Sequence, residues 1–158
     1  MAAREPDVVE FHEQRRSPVV DRMVDLTAAS GGWINLTPGL DVDVPPPART
    51  PLAAIFGSKG PVVPLGTWTP AQGRDPASIG VHHSQGTNAV ALLAERNVAV
   101  PLGWQRLQDH PKRGLVLVPT PATTPEDLDA VLDWLLRATG ALCPVRRTGE
   151  WRALVYRP

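Results

Sequence analysis

Four consecutive apolar residues, Leu115-Val116-Leu117-Val118, followed shortly by a capped amphipathic helix, set the tightest limit on how this chain can fold. A run this short and unbroken predicts a strand that is central in a sheet or buried on both faces. Pro119, Pro121 and Pro125 forbid a continuous helix before Thr124. Thr124 then fits an N-cap and Pro125 the first helical position. Glu126 and Asp127 place negative charge at the positive end of the helix dipole. Leu128, Val131, Leu132, Leu135 and Leu136 recur at helical spacing as a single apolar stripe. Gly140 falls where a left-handed C′ residue would end the helix, so the spacing predicts a helix over 125–139.

The elements around this unit follow an informative order. Residues 78–83, Ser-Ile-Gly-Val-His-His, read as a strand. Ser84-Gln85-Gly86-Thr87 then turns into a helix over 88–96, with Ala89, Val90, Leu92 and Leu93 on its buried side and Asn97 after its end. Residues 104–109 form a weak strand before the central one, and Trp151 to Tyr156 alternates as a strand should. The C-terminal half therefore reads β-α-β-β-α-β, the ferredoxin-like order, with an antiparallel sheet and two helices on one face. Right-handed crossovers place strands 78–83 and 115–118 in the middle and 104–109 and 151–156 at the edges.

The N-terminal half is less regular. Residues 8–11 suit a short helix or a docking arm. Ser17-Pro18 opens a helix over 18–29, which Gly31-Gly32 ends. Trp33 to Thr50 reads as an irregular extended crossing, because Pro38, Pro45, Pro46 and Pro47 oppose both ladder and helix. Leu52–Phe56 and Val62–Leu65 flank Gly57-Ser58-Lys59-Gly60 as a hairpin, with a loop over 66–76 that holds Trp68. The expectation is one α+β domain over 1–158. Its N-terminal helix and proline-rich arm (1–50) and hairpin (52–76) pack on or extend the ferredoxin-like core of 77–158.

Composition narrows the function. The 158 residues include 16 basic and 16 acidic side chains, so the net charge is zero, which argues against a nucleic-acid partner or a polybasic membrane anchor. A single cysteine, Cys143, and no Cys/His cluster exclude an internal disulfide and a structural zinc site. No apolar run approaches a membrane span and no signal peptide is visible, so a cytoplasmic protein is expected. No cofactor-binding motif occurs: there is no P-loop, no dinucleotide fingerprint and no zinc-protease signature.

The stretch with most chemical content is His82-His83-Ser84-Gln85-Gly86-Thr87. It joins a strand to a helix start, where free backbone N–H groups and Gly86 could hold an anion. Alternation puts His83 on the face of Ile79 and Val81, and His82 on the other. His83 then reads first as a buried, hydrogen-bonded residue and His82 as a half-exposed one. Arg152 and Tyr156 share a face of the last strand and are expected beside His82 on the open side of the sheet. The charged turn from Asp109 to Gly114 reads as a hairpin loop. Trp134 lies off the Leu128 stripe and is expected to face a second layer or a partner subunit.

Residues 86–98 resemble the first loop and helix of ACT-type amino-acid-binding domains over about one helix, without the Asp-x-Pro that precedes the glycine there. The resemblance implies a ligand at the strand-to-helix loop. The β-α-β-β-α-β order is also that of RNA-recognition motifs, but the two central strands carry no aromatic residue for base stacking. Two functions are carried forward. The first is a non-catalytic binding or protein-interaction module that self-associates as a homo-oligomer through a sheet face or edge. The second is a small enzyme or a binder of a small anionic ligand at His82–Thr87, with Arg152 and Tyr156 opposite.

Overall fold

The computed structural model describes residues 4–41 and 63–158. In chain order the elements are β1 (Asp7–His12), α1 (Ser17–Ala29), β2 (Trp33–Leu40), β3 (Leu65–Thr69), β4 (Ser78–His82), α2 (Ala89–Glu95), β5 (Gln105–His110), β6 (Gly114–Val118), α3 (Pro125–Ala141) and β7 (Arg147–Tyr156). The strands form one seven-stranded sheet in the order β1-β7-β2-β3-β4-β6-β5, with every neighbouring pair antiparallel. The class is therefore α+β, with a larger sheet than the sequence suggested.

The ferredoxin-like arrangement expected for 77–158 is corrected by this order. β4, β6 and β5 lie as that arrangement requires, but β7 does not sit against β4. β2 and β3 are inserted between them, so the segment 151–156, expected at an edge, is interior, and β1 forms the edge beyond it. Residues 8–11, expected to be helical or an arm, are that edge strand, with Phe11 opposite Trp151. The apolar run Leu115–Val118 is interior, one strand from the β5 edge.

β2 and β3 were not expected as strands. In β2 the burial alternates, with Ile34, Leu36 and Pro38 inside and Asn35 and Thr37 half-buried. Pro38 is tolerated because β3 pairs only as far as Leu36, so the strand has a single neighbour beyond it, and the register shifts between Pro38 and Leu40. β3 turns the expected loop around Trp68 into a core strand, and Trp68 is 2% exposed. The expected hairpin strand Leu52–Phe56, its turn at 57–60 and the proline-rich stretch 42–51 lie outside the described residues.

Among the described residues the three helices pack on one face of the sheet, around a single apolar cluster. α3 supplies more of it than either other helix, through Leu128, Val131, Leu132, Leu135 and Leu136. Its start follows the sequence reading: the Thr124 hydroxyl accepts from Asp127 N at 3.1 Å. Its end does not. Gly140 lies inside the helix, where a Cβ would stand 2.6 Å from Arg147 Cζ, so the glycine makes room for a guanidinium rather than a left-handed turn. Trp134, expected to face a second layer or a partner subunit, packs inside the chain. It is 2% exposed, packs edge-on against Trp104 at 5.1 Å, and donates from Nε1 to Ala99 O at 2.9 Å.

α1 is pinned to α3 by Arg16, whose guanidinium makes a two-pronged contact with Asp129 at 2.8 and 2.9 Å. That hydrogen-bonded pair raises the pKa of Arg16 and lowers that of Asp129. α3 also approaches the sheet where β3 has no side chain. A Cβ on Gly66 would lie 2.8 Å from Thr139 Oγ1 and 3.4 Å from Leu135 Cδ1.

Candidate functional site

Two regions carry the residues singled out by the sequence, the loop after β4 and the open face of the sheet, which no helix among the described residues covers. In the loop, strand alternation holds to its last residue. His82 is exposed on the open face, whereas His83 turns inward and is fully buried. Nδ1 of His83 accepts from Gln85 N at 3.3 Å, which leaves the ring proton on Nε2, an atom without a protein partner among the described residues. Burial pushes the His83 pKa below its ordinary value of 6.5. Asp109 acts in the opposite direction and His82 adds slightly to the fall.

The anion expected at this loop is already supplied by the protein. The Asp109 carboxylate accepts from Ala89 N at 2.6 Å and from Val90 N at 3.1 Å, and so caps the first turn of α2. Gln85 is likewise committed, donating from Nε2 to Leu142 O at 2.8 Å and tying the loop to the end of α3. Ser84 is half-buried, and Gly86, at φ 70°, and Thr87 are exposed. The loop is thus a structural joint between β4, α2, α3 and β5. Asp109, placed by sequence in a plain hairpin turn, is its central residue. Its role could not be read from spacing, since it acts on a helix twenty residues earlier in the chain.

Arg152 and Tyr156 share the open face with His82, as alternation required, but they do not join it. β2 and β3 intervene, and three strand spacings separate β7 from β4 by about 14 Å. Arg152 instead pairs with Glu10 at 2.9 Å, beside an open cavity of about 510 Å³ bordered also by Thr37 and Glu150. Tyr156 stacks on Trp33, with ring centroids 4.6 Å apart and an interplanar angle of 11°. Among the described residues no group of His, Cys, Asp and Glu could hold a metal ion. Cys143 is half-buried and its Sγ donates to Val145 O at 3.3 Å.

The open face itself has a consistent chemistry. The cross-strand registers place Trp33, Asn35 and Thr37 of β2 in rows with Leu65, Thr67 and Thr69 of β3, and then with Ser78, Gly80 and His82 of β4 and Val116 and Val118 of β6. Each of these residues is half-buried or exposed, while its neighbours along the strand are buried under the helices. None is Asp, Glu, Lys or Arg. Thr67 Oγ1 donates to Asn35 Oδ1 at 2.9 Å, so polar groups near the middle satisfy one another. Charge returns at one margin, with Glu10, Glu150 and Arg152, whereas on the other side β5 sets Gln105 and Gln108 opposite Val118 and Val116. The polar-apolar alternation of residues 33–38 was the signal for this face, and Pro38 obscured it.

No family model, no curated protein and no solved structure matches the chain. No helix among the described residues is long and apolar enough to cross a membrane.

Proposed function

We propose that this protein is a non-catalytic interaction module that pairs with a second copy of itself through the open face of its sheet. The observation that carries the reading is the absence of formal charge from that face of four adjacent strands, β2, β3, β4 and β6. A solvated antiparallel face ordinarily alternates apolar residues inside with polar and charged ones outside. The core of a protein interface is instead depleted of charge and ringed by a polar rim, with aromatic residues enriched. Trp33 and Tyr156 supply the aromatic anchors, and Trp33 is 42% exposed.

Size and rim favour a second copy as the occupant. Seven strands spaced ~4.8 Å apart and ~17 Å long span a plane of roughly 500–600 Å² before side-chain relief is counted, the order of the ~800 Å² per partner in a stable interface. The rim carries both signs side by side, Glu10 and Arg152. A two-fold rotation can therefore set each acid against the other copy's base, as an isologous contact requires. The lone half-buried Cys143 fits a reducing, cytoplasmic setting. The alternative of an anionic ligand or a small enzyme at His82–Thr87 loses its anchor, because Asp109 fills the helix terminus and Arg152 lies strands away.

Sedimentation equilibrium of the full chain and of Thr67→Arg tests the reading. Thr67 is central on the face and half-buried, so a guanidinium there leaves the helix side untouched. A dimer mass that collapses to monomer in Thr67→Arg, with unchanged circular dichroism, supports the reading. A monomer at all concentrations, or a dimer indifferent to the substitution, overturns it.

A further inference from the structure

The uncharged part of the open face carries two groups that can gain a charge near neutral pH, His82 of β4 and His110 of β5. His82 is exposed there, opposite Leu65 of β3. On its other side lies Gly114 of β6, where a Cβ would stand 3.2 Å from His82 Cα. Gly114 in turn pairs with His110. The row Leu65, His82, Gly114, His110 therefore sets both imidazoles on one face, with a residue that has no side chain between them. The two rings are not equivalent. His110 Nδ1 accepts from Lys112 N at 3.0 Å and from Arg113 N at 3.2 Å, so a second proton on that ring would break both contacts. The His82 ring makes no comparable contact among the described residues.

Among the described residues no carboxylate of the neighbouring strands faces His82. β3, β4 and β6 contain none. The one acid of β5, Asp109, lies on the helix side and caps α2, and His83 is buried on that side too. The turn that leads into Gly114 carries Lys112 and Arg113, both cations. Glu10, Glu150 and Arg152 stand on the far margin, beyond β3 and β2. A neutral imidazole on this face is a half-apolar surface that a second copy can cover. A charged one would lose its water without an acid in its own chain to pair with, and covering it would be costly. Resting on the dimer reading above, we propose that His82 makes self-association pH-dependent: the face holds a second copy while the ring is neutral and releases it when the ring takes up a proton. Proton uptake is linked to dissociation, so affinity is full above the imidazole range and falls as pH falls through it.

The test is sedimentation equilibrium of the full chain at about pH 7.5 and about pH 5.5, at constant ionic strength. Over that range an ordinary imidazole goes from about one-tenth to about nine-tenths protonated, and each dimer covers two copies of His82, so Kd should rise by up to about a hundredfold. His82→Gln is neutral at both pH values and should hold its Kd within about threefold. His82→Arg is a cation at both and should associate weakly at both. His110→Gln should keep most of the wild-type response. Burial of His83 also weakens the fold as pH falls, but His82→Gln retains that residue, so unfolding would be common to both proteins. A dimer that is equally tight at both pH values, tighter at the lower one, or weakened as much in His82→Gln as in the wild type overturns the switch and leaves the dimer reading standing. A wild type that is monomeric at about pH 7.5 removes that reading, and the switch with it.

Discussion

Removing the carboxylate of Asp109 should unfasten the histidine loop. It caps two of the N–H groups that a helix leaves unpaired in its first turn, at 2.6 and 3.1 Å. Loss of a side-chain cap costs about 0.5–2 kcal/mol, and loss of the charge at the helix terminus adds roughly 0.3–1 kcal/mol. α2 has seven residues, too few to shed a turn and survive, so Asp109→Ala should cost about 1–3 kcal/mol in full. Asp109→Asn keeps one acceptor and loses the charge, and should cost about half as much. Urea unfolding at neutral pH reads the global cost, and native-state hydrogen exchange at Ala89–Leu93 reads the local one. The wild-type protein should gain no more stability from inorganic phosphate than its salt effect, whereas Asp109→Ala exposes the helix start and should gain more. A cost below ~0.5 kcal/mol in Asp109→Ala would refute the capping argument. So would a larger phosphate response in the wild type than in the variant, because it would mean that the loop is an open anion site.

Two further outcomes follow from buried groups. Gly66→Ala drives a Cβ to 2.8 Å from Thr139 Oγ1 and should destabilise by about 1–3 kcal/mol. Thr139→Ala removes that oxygen, which has no hydrogen-bond partner among the described residues, and in combination should recover much of the loss. Thermal melts of the two single variants and the double variant measure the coupling, and strictly additive changes would contradict it. Burial holds the His83 pKa below 6.5, so the unfolded chain takes up the proton first. The stabilising contribution of the neutral ring is therefore intact above pH 6.5. It declines as pH falls below that value, by at most about 1.4 kcal/mol per unit, and levels off once the folded-state pKa is passed. Denaturant titrations across this range should show that limb in the wild type and not in His83→Gln. The same slope in both would assign it to other groups.

Elements whose signals are local were legible in the sequence. α3 announced its cap, stripe and apolar strand within thirty residues, and the alternation of β4 sent His83 inward and His82 outward as found. What failed was long-range pairing. β2 meets β7 across more than a hundred residues, as in Trp33 opposite Tyr156, and no pattern in either strand names the other. Pro38 disguised β2 as a loop although it falls where a neighbour is already lost, and Gly66 with its flanking prolines disguised β3. Missing those two strands closed the sheet too early, which set Arg152 and Tyr156 beside His82. The face assigned to each was right, and the distance between them was not. Asp109 was hidden for the same reason, because a cap donated from a later strand leaves no mark in the helix it serves.

Hydroxyl-radical footprinting of Trp33, Tyr156, Leu154 and Val116, compared between the wild type and Thr67→Arg at a concentration where the wild type is associated, reads the central claim directly. Those four side chains should be protected in the wild type and oxidised faster in Thr67→Arg, while exposed Leu102 and Val24, away from the face, react equally in both. Equal labelling of Trp33 and Val116 in the two proteins would mean that no second copy covers the uncharged face.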